Sequence, residues 1–201
     1  MSGPEENLYD KYLTRAISEI NELCRELTHC EKCAHGPAVP VIGSGHPLAD
    51  IFLVKYRTLP SESSEGVAFY GPSGEAVMKS CQKLGIDSLI LYGTDIIKCA
   101  NVPEEEALEH CSAFLTRELM IVQPKLLVIM GEKALEAVNR LGFPLSRRLE
   151  FKAGEIQQFT PTAEALVTPE IDTSLNDQKR KTSFWKSFRI LGEWYESLPP
   201  Y

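Results

Sequence analysis

Six cysteines in a chain of 201 residues are the first groups with chemistry to offer. Cys30-Glu-Lys-Cys33 is a C-x-x-C pair, and Cys99 and Cys111 follow with eleven residues between them. A lone C-x-x-C is shared by redox dithiols, zinc sites and chance. Four reduced thiols, however, supply the soft donors that tetrahedral zinc and a cubane iron–sulfur cluster both require, with ordinary buried or surface cysteines as the alternative. Cys24 and Cys81 have no such spacing and read as small apolar core residues. The four histidines, His29, His35, His46 and His110, sit beside these cysteines or in a glycine turn.

A second group lies in "DIFLVKYRTLPSESSEGVAFYG", residues 50–71. Asp50 to Val54 is a short apolar strand, and Gly66 to Gly71 is a glycine-bounded turn with Phe69 at its tip. An α/β ligand loop usually places small residues after such a strand; here stand Lys55, Tyr56 and Arg57. Gly43 and Gly45 precede the strand, where they suit either a tight turn or a close approach to a phosphate.

These groups need a scaffold, and the composition supports one. Apolar content of 43% and charged content of 24% are those of a globular domain. A net charge of −7 excludes a chain that coats nucleic acid by bulk electrostatics, leaving local patches such as Arg147-Arg148 and Lys179-Arg180-Lys181. Met1 to Asp10 is polar and no 18-residue apolar run occurs, so a cytoplasmic, membrane-free protein with reduced cysteines is expected.

Periodicity predicts one domain over 1–201. Residues 8–28 read as an amphipathic helix leading into a cysteine-bearing turn, together about 8–36. Strands are expected at 50–54, 88–92, 126–130 and 155–159, and helices at 74–84, 104–121, after Gly131, and at about 183–198. Residues 146–180 are otherwise loop-rich. Strands apolar on both faces, alternating with helices, predict a three-layer α/β/α fold around a mostly parallel sheet, with 50–54, 88–92 and 126–130 as central neighbours. Phe184, Trp185, Phe188, Ile190 and Trp194 fall at helical spacing and read as packing residues.

In order, Cys30-Glu-Lys-Cys33, "VIGSGHPLADIFLV", "GVAFYG", "TDIIKC", Cys111, "PKLLVIMGEKAL" and "VTPE" resemble the motifs of the iron–sulfur branch of the uracil-DNA glycosylase superfamily, families 4 and 5, over about residues 25–195. The resemblance implies the glycosylase fold, a role in DNA repair and base hydrolysis, and a 4Fe-4S cluster on Cys30, Cys33, Cys99 and Cys111, with zinc the other metal such thiolates accept.

The same resemblance exposes what has changed. Counted back from Phe69, the family loop V-G-E-A-P-G falls on Val54-Lys55-Tyr56-Arg57-Thr58-Leu59, so Tyr56 replaces the acidic residue that positions water. A tyrosine with a pKa near 10 is no base at neutral pH. The family's base-reading asparagine falls on Asp95, which when ionised only accepts hydrogen bonds. The histidine of H-P-S, which stabilises charge on the departing base, falls on Thr168. Losing such a donor costs about 100 to 1000-fold in rate. Phe69 is retained where the family stacks a ring on the flipped base.

The expected base pocket is thus Lys55, Tyr56, Phe69, Asp95 and Thr168, with Tyr56, Asp95 and Thr168 at degenerate catalytic positions. The favoured reading is a DNA-binding iron–sulfur protein with uracil excision impaired or lost. One alternative is an active glycosylase removing another damaged base, with Asp95 or Glu62 as its carboxylate. Another is an iron–sulfur redox or partner-binding protein. Lys55 is expected either to close the pocket by pairing with Asp95 or to face solvent with Arg57 and grip phosphates.

Overall fold

The computed structural model describes residues 4–33 and 39–199. His35 and the end of the expected cysteine turn lie outside the described residues. The most apolar runs make the centre of the sheet: β2 (Ile51–Arg57), β3 (Leu91–Ile97) and β4 (Leu126–Met130) are buried throughout except at Arg57. Runs without polar alternation belong in a sheet covered on both faces. With β1 (Ser44–Gly45), β5 (Ile156–Thr160) and β6 (Ala163–Thr168), the order is β1-β3-β2-β4-β6-β5. Strands β3, β2, β4 and β6 run parallel; β1 and β5 are antiparallel at the edges. The three expected central strands are therefore direct neighbours.

Successive strand residues point to opposite faces, and each face has its own helices. Helices α4 (Glu104–Val122) and α5 (Glu132–Arg140) cover Phe52, Val54, Leu127, Ile129 and Val167. On the other face, α3 (Pro72–Lys83) and α7 (Gln178–Glu196) cover Ile51, Leu53, Leu126, Val128 and Leu166. Each such aliphatic side chain contributes about 1.5–3 kcal/mol on burial. The result is the predicted three-layer arrangement. Helix α1 (Pro4–Thr28) lies outside α4, joined through Leu23, Leu27 and Phe114 and by a Glu26–Arg117 ion pair.

Several boundaries differ from the sequence reading, each for a local reason. Residues 88–90 form a 3-10 turn because the Asp87 carboxylate accepts from Leu89 N at 2.9 Å, delaying β3 to Leu91. Helix α7 begins at Gln178 because Asp177 caps it, accepting from Arg180 N. Strand β6 occupies part of the segment read as loop. Most consequentially, β2 does not stop at Val54 but runs to Arg57, and the loop after it folds into α2 (Pro60–Glu65). A last short turn, α6 (Ile171–Ser174), follows β6.

Candidate functional site

Because β2 extends to Arg57, Lys55 and Tyr56 are strand neighbours and must face opposite sides of the sheet. Lys55 points to the α3/α7 side at the carboxyl ends of the strands. It stands in register with Asp95 on β3 and with Met130 on β4, which is itself in register with Thr168 on β6. These four share one row and one face. At about 4.8 Å per strand, the Asp95 and Thr168 backbones are roughly 14 Å apart in that row.

The Lys55 ammonium, fully buried, is the hub of this row. It donates to Glu62 Oε2 at 2.7 Å and to the Arg57 carbonyl at 2.9 Å, and lies 3.4 Å from Asp172 Oδ2 and 3.5 Å from Asp95 Oδ1. Burial pulls its pKa down, but Asp95, Asp172 and Glu62 more than offset this and hold the ammonium above the ordinary lysine value. Glu62 is locked by two further donors: its Oε2 takes Leu59 N at 2.7 Å, as in a capping box, and its Oε1 takes Phe69 N at 2.7 Å. Asp172 accepts from Ser73 Oγ at 2.5 Å.

Asp95 has the least complete shell. Its Oδ2 accepts from Thr58 Oγ1 at 2.9 Å, whereas Oδ1 is buried without a hydrogen bond and faces only the Lys55 charge. Burial, with Glu62 adding to it, pushes its pKa up to about 7 against the opposing pull of Lys55 and Thr58. Thr168 is fully buried and its hydroxyl is committed to the Pro169 carbonyl at 2.9 Å. Phe69 is half-buried, with a left-handed φ of 60°, its ring against Gly93 and 6.0 Å from Lys55 Nζ. A Cβ on Gly93 would meet that ring at 2.8 Å, so the small residue in β3 makes room for the aromatic.

Tyr56 does not join this group, which corrects its assignment to the pocket. On the α4/α5 face its hydroxyl donates to Glu104 Oε1 at 2.9 Å, Lys133 also pairs with Glu104 at 2.9 Å, and Lys133 Nζ sits 5.3 Å from the Tyr56 ring. Burial first, then the Glu104 contact, raises the phenol to about 12, so it is no base. The carboxylate beside Phe69 is that of Glu62, which accepts from the Phe69 amide. Its sequence signal was weak: one glutamate among the polar residues of "PSESSE".

Gly43 and Gly45 have structural duties. A side chain on Gly43 would meet the Tyr92 hydroxyl at 2.4 Å and Glu118, and one on Gly45, at φ +129°, would strike the Leu91 carbonyl. Beneath them lies a second buried polar group that sequence reasoning missed: Lys98 Nζ donates to Glu118 Oε2 at 2.6 Å and contacts Thr94, while Tyr92 OH donates to Glu118 Oε1 at 3.1 Å. Arg147, Arg148, Lys179, Arg180 and Lys181 are all exposed, and His46 Nδ1 accepts from Leu48 N.

The four spaced cysteines converge from three elements. Cys30 and Cys33 follow α1, Cys99 follows β3, and Cys111 lies on α4; the last three are buried. Burial is the main reason the Cys33, Cys99 and Cys111 thiols are pushed up, Cys99 to about 12, and each of the three also feels the charge of other members of the set. Among the described residues no three His, Cys, Asp or Glu side chains close to the separation a single metal ion needs. Cys81 lies apart, in the core under α3.

A sequence model of the uracil DNA glycosylase superfamily matches residues 45–191. The chain is 28% identical over 131 residues to a type-4 uracil-DNA glycosylase of Sulfurisphaera tokodaii, covering 61% of this chain and 59% of that protein. It is 22% identical over 186 residues to the type-4 enzyme of Archaeoglobus fulgidus, covering 88% and 94%. A type-5 uracil-DNA glycosylase of Pyrobaculum aerophilum is 37% identical over 76 residues, 36% of this chain and 32% of that one. With the match spanning most of the sheet and its helices, the chain belongs to the uracil-DNA glycosylase superfamily.

Proposed function

We propose that this protein is an iron–sulfur member of the superfamily that binds DNA in base-excision repair and has impaired or lost ordinary uracil excision. The reading rests on one observation: a fully buried Lys55 ammonium within 3.5 Å of Glu62, Asp95 and Asp172, at the strand ends where a base would be read. Lys55 is engaged by all three carboxylates, and Asp95 Oδ1, which lacks a hydrogen bond, faces that ammonium rather than open space. Burying a neutral base there would require breaking a desolvated ion cluster.

Active chemistry on another base would need Glu62 or Asp95 to activate water. Glu62 already receives three donors, and Asp95 is walled off beside Thr58 and Lys55. Both facts favour the inactive reading. Cys30, Cys33, Cys99 and Cys111 would hold the 4Fe-4S cluster. Bound there, it supplies a covalent tie between the end of α1, β3 and α4.

The test uses anaerobically purified protein and single- and double-stranded oligonucleotides carrying uracil, hypoxanthine or xanthine. No abasic-site cleavage is expected, alongside DNA binding by fluorescence anisotropy that weakens with salt. Excision of uracil at a rate comparable to the type-4 relatives would overturn the proposal. Absence of DNA binding would favour a redox or partner-binding role instead.

A further inference from the structure

Away from the Lys55 row, a hollow of about 570 Å³ opens between α3 and α7, floored by α6. Its walls are mostly apolar, built from Ala76, Ile171, Leu175, Phe184 and Trp185, with polar side chains such as Ser80 and Gln178 among them. The wall is anchored, since Phe184 and Ile171 are buried and Phe184 stacks on Phe188 at 4.5 Å between ring centres. That volume is within the roughly 300–1,000 Å³ of small-molecule sites.

The rim carries the opposite sign to the chain as a whole. Net charge is −7, yet Lys79, Lys83 and Lys181 surround this opening. Lys79 is paired with Glu75 at 3.0 Å. Lys83 sits 5.7 Å from the Trp185 ring, which attracts the ammonium without neutralising it. Among the described residues neither Lys83 nor Lys181 has a carboxylate within ion-pair distance. Two uncompensated cations thus overlook an apolar cavity.

We propose that this hollow is a binding site for a small organic anion with an apolar, ring-sized body: the body lies against Leu175, Phe184 and Trp185, and the anionic head meets Lys83 and Lys181. A nucleic-acid strand suits it less. Phosphates would use the lysines but leave the apolar walls uncovered. The site is separate from the Lys55 row, although Asp172, which faces Lys55, belongs to the same α6 turn as Ile171 and Ser174.

The test titrates the 201-residue chain with 8-anilinonaphthalene-1-sulfonate, reading dye emission and tryptophan quenching. Saturable one-site binding is expected. The exposed double substitution Lys83→Glu with Lys181→Glu should weaken it about tenfold or more without changing the melting temperature, and Ala76→Phe should block it by filling the cavity. The uncharged analogue 1-anilinonaphthalene should bind about tenfold more weakly or worse. Unsaturable binding, equal binding by the charge-reversed variant or by the neutral analogue, or displacement of the dye by a short single-stranded oligonucleotide would each overturn the proposal.

Discussion

The Lys55 ammonium lies 2.7 Å from Glu62 but 3.5 Å from Asp95, the residue directly opposite it in the β2–β3 ladder. The nearer partner is thus the one supplied by the following helix, not by the sheet. Lys55 still answers the Asp95 charge, as expected from the sequence, but it does so as the shared cation of three carboxylates. Its role is to let β2 end among acidic side chains at all.

Removing that cation should therefore be costly. Lys55→Met leaves the buried Glu62 and Asp95, and the half-buried Asp172, without their shared cation and should destabilise the fold by about 3–5 kcal/mol. Urea unfolding followed by circular dichroism measures this. A midpoint equal to the parent's would show that the cluster holds nothing together. Pairing the change with Tyr56→Glu would not rebuild the family loop, because position 56 faces α4 and α5.

Asp95 makes stability depend on pH. Its folded pKa, raised to about 7, exceeds the ordinary carboxylate value of 3.8, so between these values the folded state holds a proton that the unfolded chain releases. This stabilising contribution is full below the unfolded value and is lost as pH rises through the folded one. Asp95→Asn should remove the slope, gaining about 1–3 kcal/mol on the parent between pH 5 and pH 8. Thermal melts at both pH values decide it: a variant-to-parent difference that stays constant contradicts the assignment.

The fold was legible where side-chain chemistry and burial agree, and the site was obscured where they conflict. Apolar runs such as "KLLVIMG" announced their strand. Lys55 and Arg57 looked like a loop because long cations are seldom buried, yet Glu62, Asp95 and Asp172 make burial tolerable and let β2 continue. Once β2 is known to reach Arg57, the opposite facing of Lys55 and Tyr56 follows from the two-residue period, which a motif-by-motif comparison with the family loop ignores.

Tyr56 should prove structural. Tyr56→Phe removes the hydrogen bond to Glu104 and is expected to cost about 0.5–1.5 kcal/mol, with DNA affinity unchanged. A fall in DNA affinity measured by anisotropy, at equal stability, would return the residue to the pocket.

Iron content should separate the cysteines into two classes. Cys99→Ala is expected to lose iron and thermal stability together, because a group bound only by the folded state stabilises it by mass action. Cys81→Ala should keep its iron, being packed under α3. Colorimetric iron assay of anaerobically purified variants makes the comparison. Full iron in Cys99→Ala would remove that thiol from the ligand set.

Phe69 is held in a backbone conformation that costs a side-chain-bearing residue about 1 kcal/mol, with its amide fastened to Glu62 and its ring laid along Gly93. Free aromatic side chains at loop tips sample several orientations, and a visitor must arrest them on arrival. This one arrives already arrested. Whatever settles on the Phe69 ring meets a surface whose motional freedom was surrendered during folding, so contact there carries little entropic penalty on the protein's side.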